Sequence, residues 1–400
     1  MTAVTHTENP PSWSMLVILS ALMAITSLAV DLYLPALPTM EKTLGGNAEL
    51  TVTGFLLGFT IAQLIWGPIT DRVGRKLPLF IGLVLFVIGS VGCALSQSME
   101  AVIFWRVFQA VGACIGPMLS RTMIRDQYNQ AQAASLLSTL MIIMAIAPIG
   151  GPLLGGWVLK FASWHAVFWL LAAIGVAIFM AVFYLPETLP KSKRSTGSFW
   201  QAFVNYGKLF NNRRYMRYTL CVTFFYLAAY AFITGSPFVY IDYFKVEPQY
   251  YGYLFGINIV GLTALSAVNR KLVKHFSLDT LLRTSTLIAS IAGILLLVCS
   301  LLVIGGIWGV IVPVFVLFSM NGIIAACSNA AALNSVEPEI AGSAAALLGS
   351  MQYGSGIVSS GLLAQFSDGT PRTMAWIMAV FVTLSAVMVI TGNTIYQRKK

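Results

Sequence analysis

Charge is scarce in this sequence. Asp, Glu, Lys and Arg make up only 10% of its 400 residues, where a soluble domain carries about 25%. So few charges cannot cover the surface of a soluble protein of this length, and a soluble globular chain is excluded. Cysteine is scarce too. Cys93, Cys114, Cys221, Cys299 and Cys327 stand singly in apolar segments. Nothing in their spacing suggests a zinc site or a redox pair, and they read as small packing residues. His6, His165 and His275 fall at expected helix ends or loops, so no metal or catalytic role is expected of them. No nucleophile–base set is visible, which argues against an enzyme, and no cofactor is expected. The first twelve residues hold no Lys or Arg. They lack the basic start of a secretory signal, so the first apolar helix is expected to stay in the mature protein.

Apolar sequence is abundant, at 58% of the residues. Apolar runs read against turn signals predict twelve membrane-spanning helices, at about 14–37, 50–68, 77–97, 100–121, 133–159, 165–185, 215–240, 250–269, 281–303, 308–333, 343–366 and 373–395. Most are near the ~20 residues needed to cross a bilayer. They are continuously apolar rather than alternating, which favours helices over a barrel. Lys and Arg divide unevenly between the loops. With the N-terminus inside, nineteen fall in inner loops and span ends, including Arg398, Lys399 and Lys400. Lys42, Lys160, Lys245 and Arg372 fall outside, and Arg106 lies within a span. This asymmetry places both termini in the cytoplasm. It also accounts for the net charge of +10 without a nucleic-acid partner.

A polar stretch at 186–214 divides the chain into a six-helix bundle at 1–185 and a second at 215–400. Within that linker, Phe199 to Phe210 reads either as an amphipathic helix on the inner leaflet or as a plain connector. Pro35 and Pro237 sit at similar positions in spans 1 and 7, as a parallel-repeat transporter would have them.

Two charges lie inside spans, Asp31 and Arg106. A carboxylate there costs roughly 2.5–3.5 kcal/mol or more, so such residues usually face a polar cavity and serve function. Each lies six residues from the outer end of its span, about 9 Å deep at 1.5 Å per residue. Equal depth suggests that they pair or couple through water. Arg106 and Gln109, three apart, share a helix face. Span 5 carries Ala147-Pro148-Ile149-Gly150-Gly151-Pro152-Leu153-Leu154-Gly155-Gly156. Its prolines, Pro148 and Pro152, remove backbone donors and bend the helix, while Gly151, Gly155 and Gly156 permit close helix approach. Between spans 2 and 3 runs Gly67-Pro68-Ile69-Thr70-Asp71-Arg72-Val73-Gly74-Arg75-Lys76. Gly74 permits the turn and the basic residues anchor it inside.

These strings carry a resemblance. The Gly67–Lys76 loop is similar to the signature loop of the major facilitator superfamily. The span-5 string and Arg106-Val107-Phe108-Gln109 resemble motifs of its drug/proton antiporter branch, with Ala110 where that branch usually has Gly. Asp31-Leu32-Tyr33-Leu34-Pro35-Ala36-Leu37-Pro38 looks like the first-span signature of the Bcr/CflA drug-resistance transporters. Ser236 to Ile241, Asn258-Ile259-Val260 and Cys327-Ser328-Asn329-Ala330 match that family as well. The resemblance implies a twelve-helix all-α membrane protein of the bacterial inner membrane that exports bicyclomycin-, chloramphenicol- or sulfonamide-like drugs in exchange for protons, as a monomer. It implies proton coupling at Asp31 and Arg106. It also implies an inner gate at Asp71, Arg72, Gly74 and Arg75, where Arg121 or Arg125 and the start of span 11, Gly342 and Ser343, are the expected partners of Asp71. Ser27 and Met23 lie below Asp31, so schemes with a second acid in span 1 do not transfer. A pocket is expected from Ser27, Asp31, Phe55, Arg106, Gln109, Met144, Tyr226, Tyr230, Ile233, Asn258, Gln352 and Tyr353. A proton-coupled exporter of an amino acid or small peptide is the alternative, although such a carrier should hold more cavity charge.

Overall fold

The computed structural model of the chain describes residues 13–194, 200–337 and 340–397. The N-terminal twelve residues and Arg398, Lys399 and Lys400, used above for orientation, lie outside them. The fold is helical throughout: α1 (Trp13–Asp31), α2 (Leu37–Leu44), α3 (Glu49–Val73), α4 (Lys76–Leu95), α5 (Met99–Ala113), α6 (Ile115–Gln127), α7 (Gln130–Phe161) and α8 (Trp164–Val182) form the first half. A connecting helix α9 (Trp200–Asn211) follows. The second half is α10 (Arg213–Pro237), α11 (Pro248–Leu272), α12 (Leu278–Leu302), α13 (Trp308–Leu333), α14 (Ala341–Phe366) and α15 (Pro371–Gln397). Taking α1 with α2 and α5 with α6 as single crossings, these are the twelve expected spans. Among the described residues ten are long and apolar enough to cross a membrane by length and composition alone. The 32-residue α7 and 26-residue α14 complete the twelve.

The helix ends follow local chemistry. Pro35 has no N–H for the carbonyl of residue 31, so α1 stops at Asp31 and the chain turns through a 3-10 segment, Leu34–Ala36, before α2. The corresponding break in the second half lies at Pro237, where α10 passes into a π-helical turn, Phe238–Tyr243. Side chains of Ser98, Asn129, Asn212 and Ser277 cap α5, α7, α10 and α12 by accepting a backbone N–H. In contrast, α7 continues as one helix through Pro148 and Pro152.

Packing repeats between the halves. The pairs α1–α7, α3–α5, α4–α5, α4–α8 and α1–α8 recur as α10–α14, α11–α13, α12–α13, α12–α15 and α10–α15. The halves meet along α3–α14 and α7–α11, which exchange under the same pseudo-twofold relation. The stretch for which the sequence left both an amphipathic helix and a plain connector open forms the helix α9. Leu209 and Tyr206 are buried while Val204 and Phe210 are exposed, and the Tyr206 hydroxyl donates to the Leu64 carbonyl at 3.3 Å.

Candidate functional site

Asp31 is the last residue of α1 and is only 6% exposed. Among the described residues no cation pairs with it. What packs against it is the glycine face of α7. A Cβ on Gly151 would come 3.0 Å from the Asp31 Cβ, and one on Gly155 would collide with the Leu32 carbonyl. Gly156, on the adjoining face, lies so close to the second half that a Cβ would strike the Pro248 carbonyl of α11. Gly252 of α11 returns the contact, with a Cβ position 2.6 Å from the Leu153 nitrogen. The glycines of this string therefore bring the turn carrying Asp31 and the interface between the halves onto one helix.

The expected Asp31–Arg106 ion pair is not formed. Arg106 is fully buried, and its guanidinium donates at 2.8 Å to the Ala29 carbonyl and at 2.5 Å to Gln109 Oε1. It is stacked between Tyr33 and Phe55, 4.1 and 4.3 Å from their ring centres. Because α1 breaks after Asp31, its last carbonyls lack intrahelical donors and form the negative end of the helix. Arg106 satisfies one of those carbonyls. It holds the Asp31 turn through the backbone rather than through the carboxylate. Gln109 in turn donates to Ser90 at 2.8 Å. Phe55 and Gln109 thus support Arg106, and neither lines the main cavity.

Aromatic groups from both halves meet beyond Asp31. Asp31 lies within electrostatic reach of the Tyr230, Tyr251 and Tyr353 hydroxyls. Tyr353 of α14 packs on Phe59 of α3 at 4.2 Å between ring centres, with Tyr230 at 6.4 Å and Tyr226 a further 6.4 Å along. Ile233 and Ser27 are half-buried nearby in sequence on α10 and α1. Asn258 is buried on α11, bonded to the Leu254 carbonyl at 3.2 Å. Gln352 bonds to Asn329 within the second half, at 2.8 Å. Of the expected pocket residues, Tyr353 lines the main cavity and Met144 contacts Arg121, an expected gate residue, which lines it as well. Phe59 and Gln63, absent from the expected pocket, also line it.

That cavity, about 630 Å³, opens toward the face bearing the Gly67–Lys76 turn, here termed the basic face. Asp71, Arg121, Arg125, Gly342 and Ser343 all stand on its walls. The expected gate contacts between them are not made. Asp71 instead pairs with Arg75 at 2.6 Å, and Arg75 also reaches Asp126 at 3.0 Å. The halves are apart at this face, so partners that would meet in a closed gate stand across open space. Gly74 has φ +104°, and a Cβ there would meet the Glu187 and Arg194 side chains. Glu187 accepts from the backbone N–H groups of Arg75 and Lys76 at 2.9 and 3.2 Å. Burial alone would push the Glu187 carboxyl up, but these N–H groups, that of Leu189 and the Arg194 cation together hold it below the usual carboxylate range.

The opposite face is sealed. Lys42 of α2 pairs with Asp242 at 2.5 Å, Asn47 donates to the Ala364 carbonyl at 2.8 Å, and the Thr53 and Ser360 hydroxyls bond at 2.6 Å. Glu49 is 5% exposed, where the expected span began one residue later. It lines a small cleft together with Gly235, Phe238 and Thr373 of the other half.

Two pseudo-symmetric six-helix halves, a cavity between them open to one face and a seal at the other define a membrane transporter of the alternating-access class. The chain belongs to the Major Facilitator Superfamily, whose family model matches residues 19–360. It is 33% identical to the uncharacterized MFS-type transporter YdgK of Bacillus subtilis, over 93% of this chain and 92% of that one. It is 28% identical to the bicyclomycin resistance protein homolog of Haemophilus influenzae, over 92% and 93%. The solved nucleoside transporter NupG shares the fold with a TM-score of 0.75 at 15% identity, over 94% of this chain and 98% of that one. The chain is accordingly a multi-pass membrane transporter and not an enzyme.

Proposed function

We propose that this protein exports small-molecule drugs across the bacterial inner membrane in exchange for protons, with both termini in the cytoplasm and the basic face inward. The observation that carries the reading is Asp31: a buried carboxylate without a counter-ion, on a helix break, packed on the same α7 that meets α11 of the other half. A lone buried carboxylate is far easier to keep when protonated. Gaining or losing that proton changes what the Asp31 turn requires of its surroundings. The turn rests on Gly151 and Gly155, so a shift there is passed through α7 to the interface between halves. Drug and proton then need not touch. They compete for conformations of one rigid element. The bicyclomycin resistance homolog, similar over nearly the full chain, supports drugs as cargo.

The test is export from proteoliposomes with an imposed pH gradient. Wild type is expected to concentrate drug against its gradient. Asp31→Asn, neutral at every pH, is expected to lose gradient-driven export while still binding drug. Full gradient-driven export by the purified mutant would remove Asp31 from the coupling step.

A further inference from the structure

The cavity contains a charge that the coupling mechanism does not use. Arg121 of α6 lines its wall, and its Nε is buried without a hydrogen-bond partner. Among the described residues the one hydrogen-bond partner of its guanidinium is the thioether of Met144, 3.6 Å from Nη2, and sulfur is a weak acceptor. The other charged lining residues are Asp71, Arg72, Arg75 and Arg125. Asp71, the carboxylate among them, is taken by Arg75 at 2.6 Å. The charged lining is therefore mainly cationic, and Arg121, half-buried on the wall, keeps its Nε out of water without an anion to bond it.

Its surroundings specify more than charge. Arg121 lies within electrostatic reach of the Tyr226 and Tyr353 hydroxyls. Tyr353 and Phe59 form an aromatic wall beside it, 4.2 Å between ring centres. Gln63 lines the same cavity, and its Oε1 is buried without a donor. A ring would lie on Phe59 and Tyr353, and an acidic group on that ring would approach the guanidinium of Arg121. A lipophilic cation finds the reverse: Arg121 and Arg125 on the walls, and a carboxylate, Asp71, already engaged by Arg75.

We infer that Arg121 is the counter-charge for the transported molecule, and that the cargo class is aromatic compounds bearing an acid group rather than lipophilic cations. This rests on the export reading above and narrows it. Guanidinium binds carboxylate by charge-assisted, often bidentate hydrogen bonds. At one end of the path Asp31 takes the proton, and at the other Arg121 takes the acid, so the two are not forced onto one group.

The experiment uses three matched probes: naphthoate, naphthamide and naphthylmethylammonium. Binding to purified full-length protein in lipid nanodiscs is measured at neutral pH by equilibrium dialysis. Wild type is expected to bind naphthoate about tenfold more tightly than naphthamide, and the ammonium most weakly. Arg121→Met should bring the naphthoate-to-naphthamide ratio to about one. Arg121→Lys should keep part of the preference, and Arg121→Glu should favour the ammonium. A wild-type ratio at or below one overturns the inference. So does failure of all three probes to bind, or a ratio that Arg121→Met and Arg121→Glu leave in place. Export of the same probes separates the two readings. Naphthoate that binds through Arg121 but is never moved by a pH gradient defeats the antiport reading alone. Gradient-driven export of the amide and the ammonium without naphthoate defeats the cargo class alone.

Discussion

Arg106 illustrates how depth in a sequence differs from contact in a fold. Counting residues from the span ends sets Asp31 and Arg106 at one level, and Arg106 does bond the Ala29 carbonyl, two residues before Asp31. Counting does not set which way around its helix each side chain points. Pro35 decides that, by ending α1 at Asp31 and leaving the Ala29 carbonyl for the arginine. The same limit explains the pocket. Phe55 and Phe59 are one turn apart on α3, yet one stacks under Arg106 and the other faces the cavity. Gln63 was within reach of the sequence, because an amide in an apolar span invites the question asked of Asp31. Arg106→Ala removes two charge-assisted bonds in a dry site and is expected to lower stability by about 2–4 kcal/mol, read by chemical denaturation in detergent. Arg106→Lys keeps the charge but not the flat fork that bonds Gln109 while stacked between rings. It is expected to regain less than half of the lost stability and of pH-driven export. A lysine variant equal to wild type in both would show that charge alone matters at this position.

At the scale of elements, α7 is the part of the molecule most constrained by close approach. Its glycines were legible as a motif, and so was their use for helix contact, since only packing with a close neighbour explains so many in one span. What the string did not say is which neighbour each glycine meets. The structure divides them: Gly151 and Gly155 face the turn at the end of α1, from Asp31 to Pro35, Gly156 faces α11, and Gly150 has nothing within 4 Å of a Cβ position. This gives a graded series of variants. Gly150→Ala should be neutral in stability and export. Gly155→Ala forces the Asp31 turn away from α7, and Gly156→Ala forces the halves apart. Both should impair export by tenfold or more, through different faces. Paired spin labels on α7 and α11 should separate in Gly156→Ala and stay in place in Gly155→Ala. Identical label distances in both would mean that α7 does not divide its contacts in this way. The loop after α8 offers a second element-scale test. Glu187 holds the α3–α4 turn, and its folded pKa lies below the ordinary value. Its contribution is therefore present above the unfolded glutamate pKa and is lost as pH falls through the lower, folded one. Stability of wild type and Glu187→Gln is expected to differ near neutral pH and to converge in strong acid.

For the whole molecule the question is what holds one face shut while the other is open. Lys42–Asp242 joins the halves at the sealed face, but Lys42 is 68% exposed and Asp242 31%. Exposed pairs of this kind contribute only about 0.2–1 kcal/mol. The close backbone contacts of α7 with α11, the part-buried Thr53–Ser360 bond and the buried Glu49 are better protected from water than this pair. The ion pair is therefore a trim on the seal, and a small one suits an equilibrium that must reverse in every cycle. Lys42→Ala is expected to raise the open population of that face about two- to fivefold, read as faster labelling of a cysteine placed at Ser360. Export should remain, with its balance shifted. Exchanging the pair, Lys42→Asp with Asp242→Lys, should restore the slow labelling, and high salt should weaken the wild-type seal in the same direction as Lys42→Ala. Asp71→Asn, on the basic face, should act in the opposite sense on the whole equilibrium. It loosens the Arg75 cluster, which the gate expectation sets against the start of α14 in the closed cavity, so labelling on the basic face should rise while labelling at Ser360 falls. If both variants moved labelling at both faces in the same direction, the two clusters would not be acting on one alternating equilibrium, and each would be a local feature of its own loop.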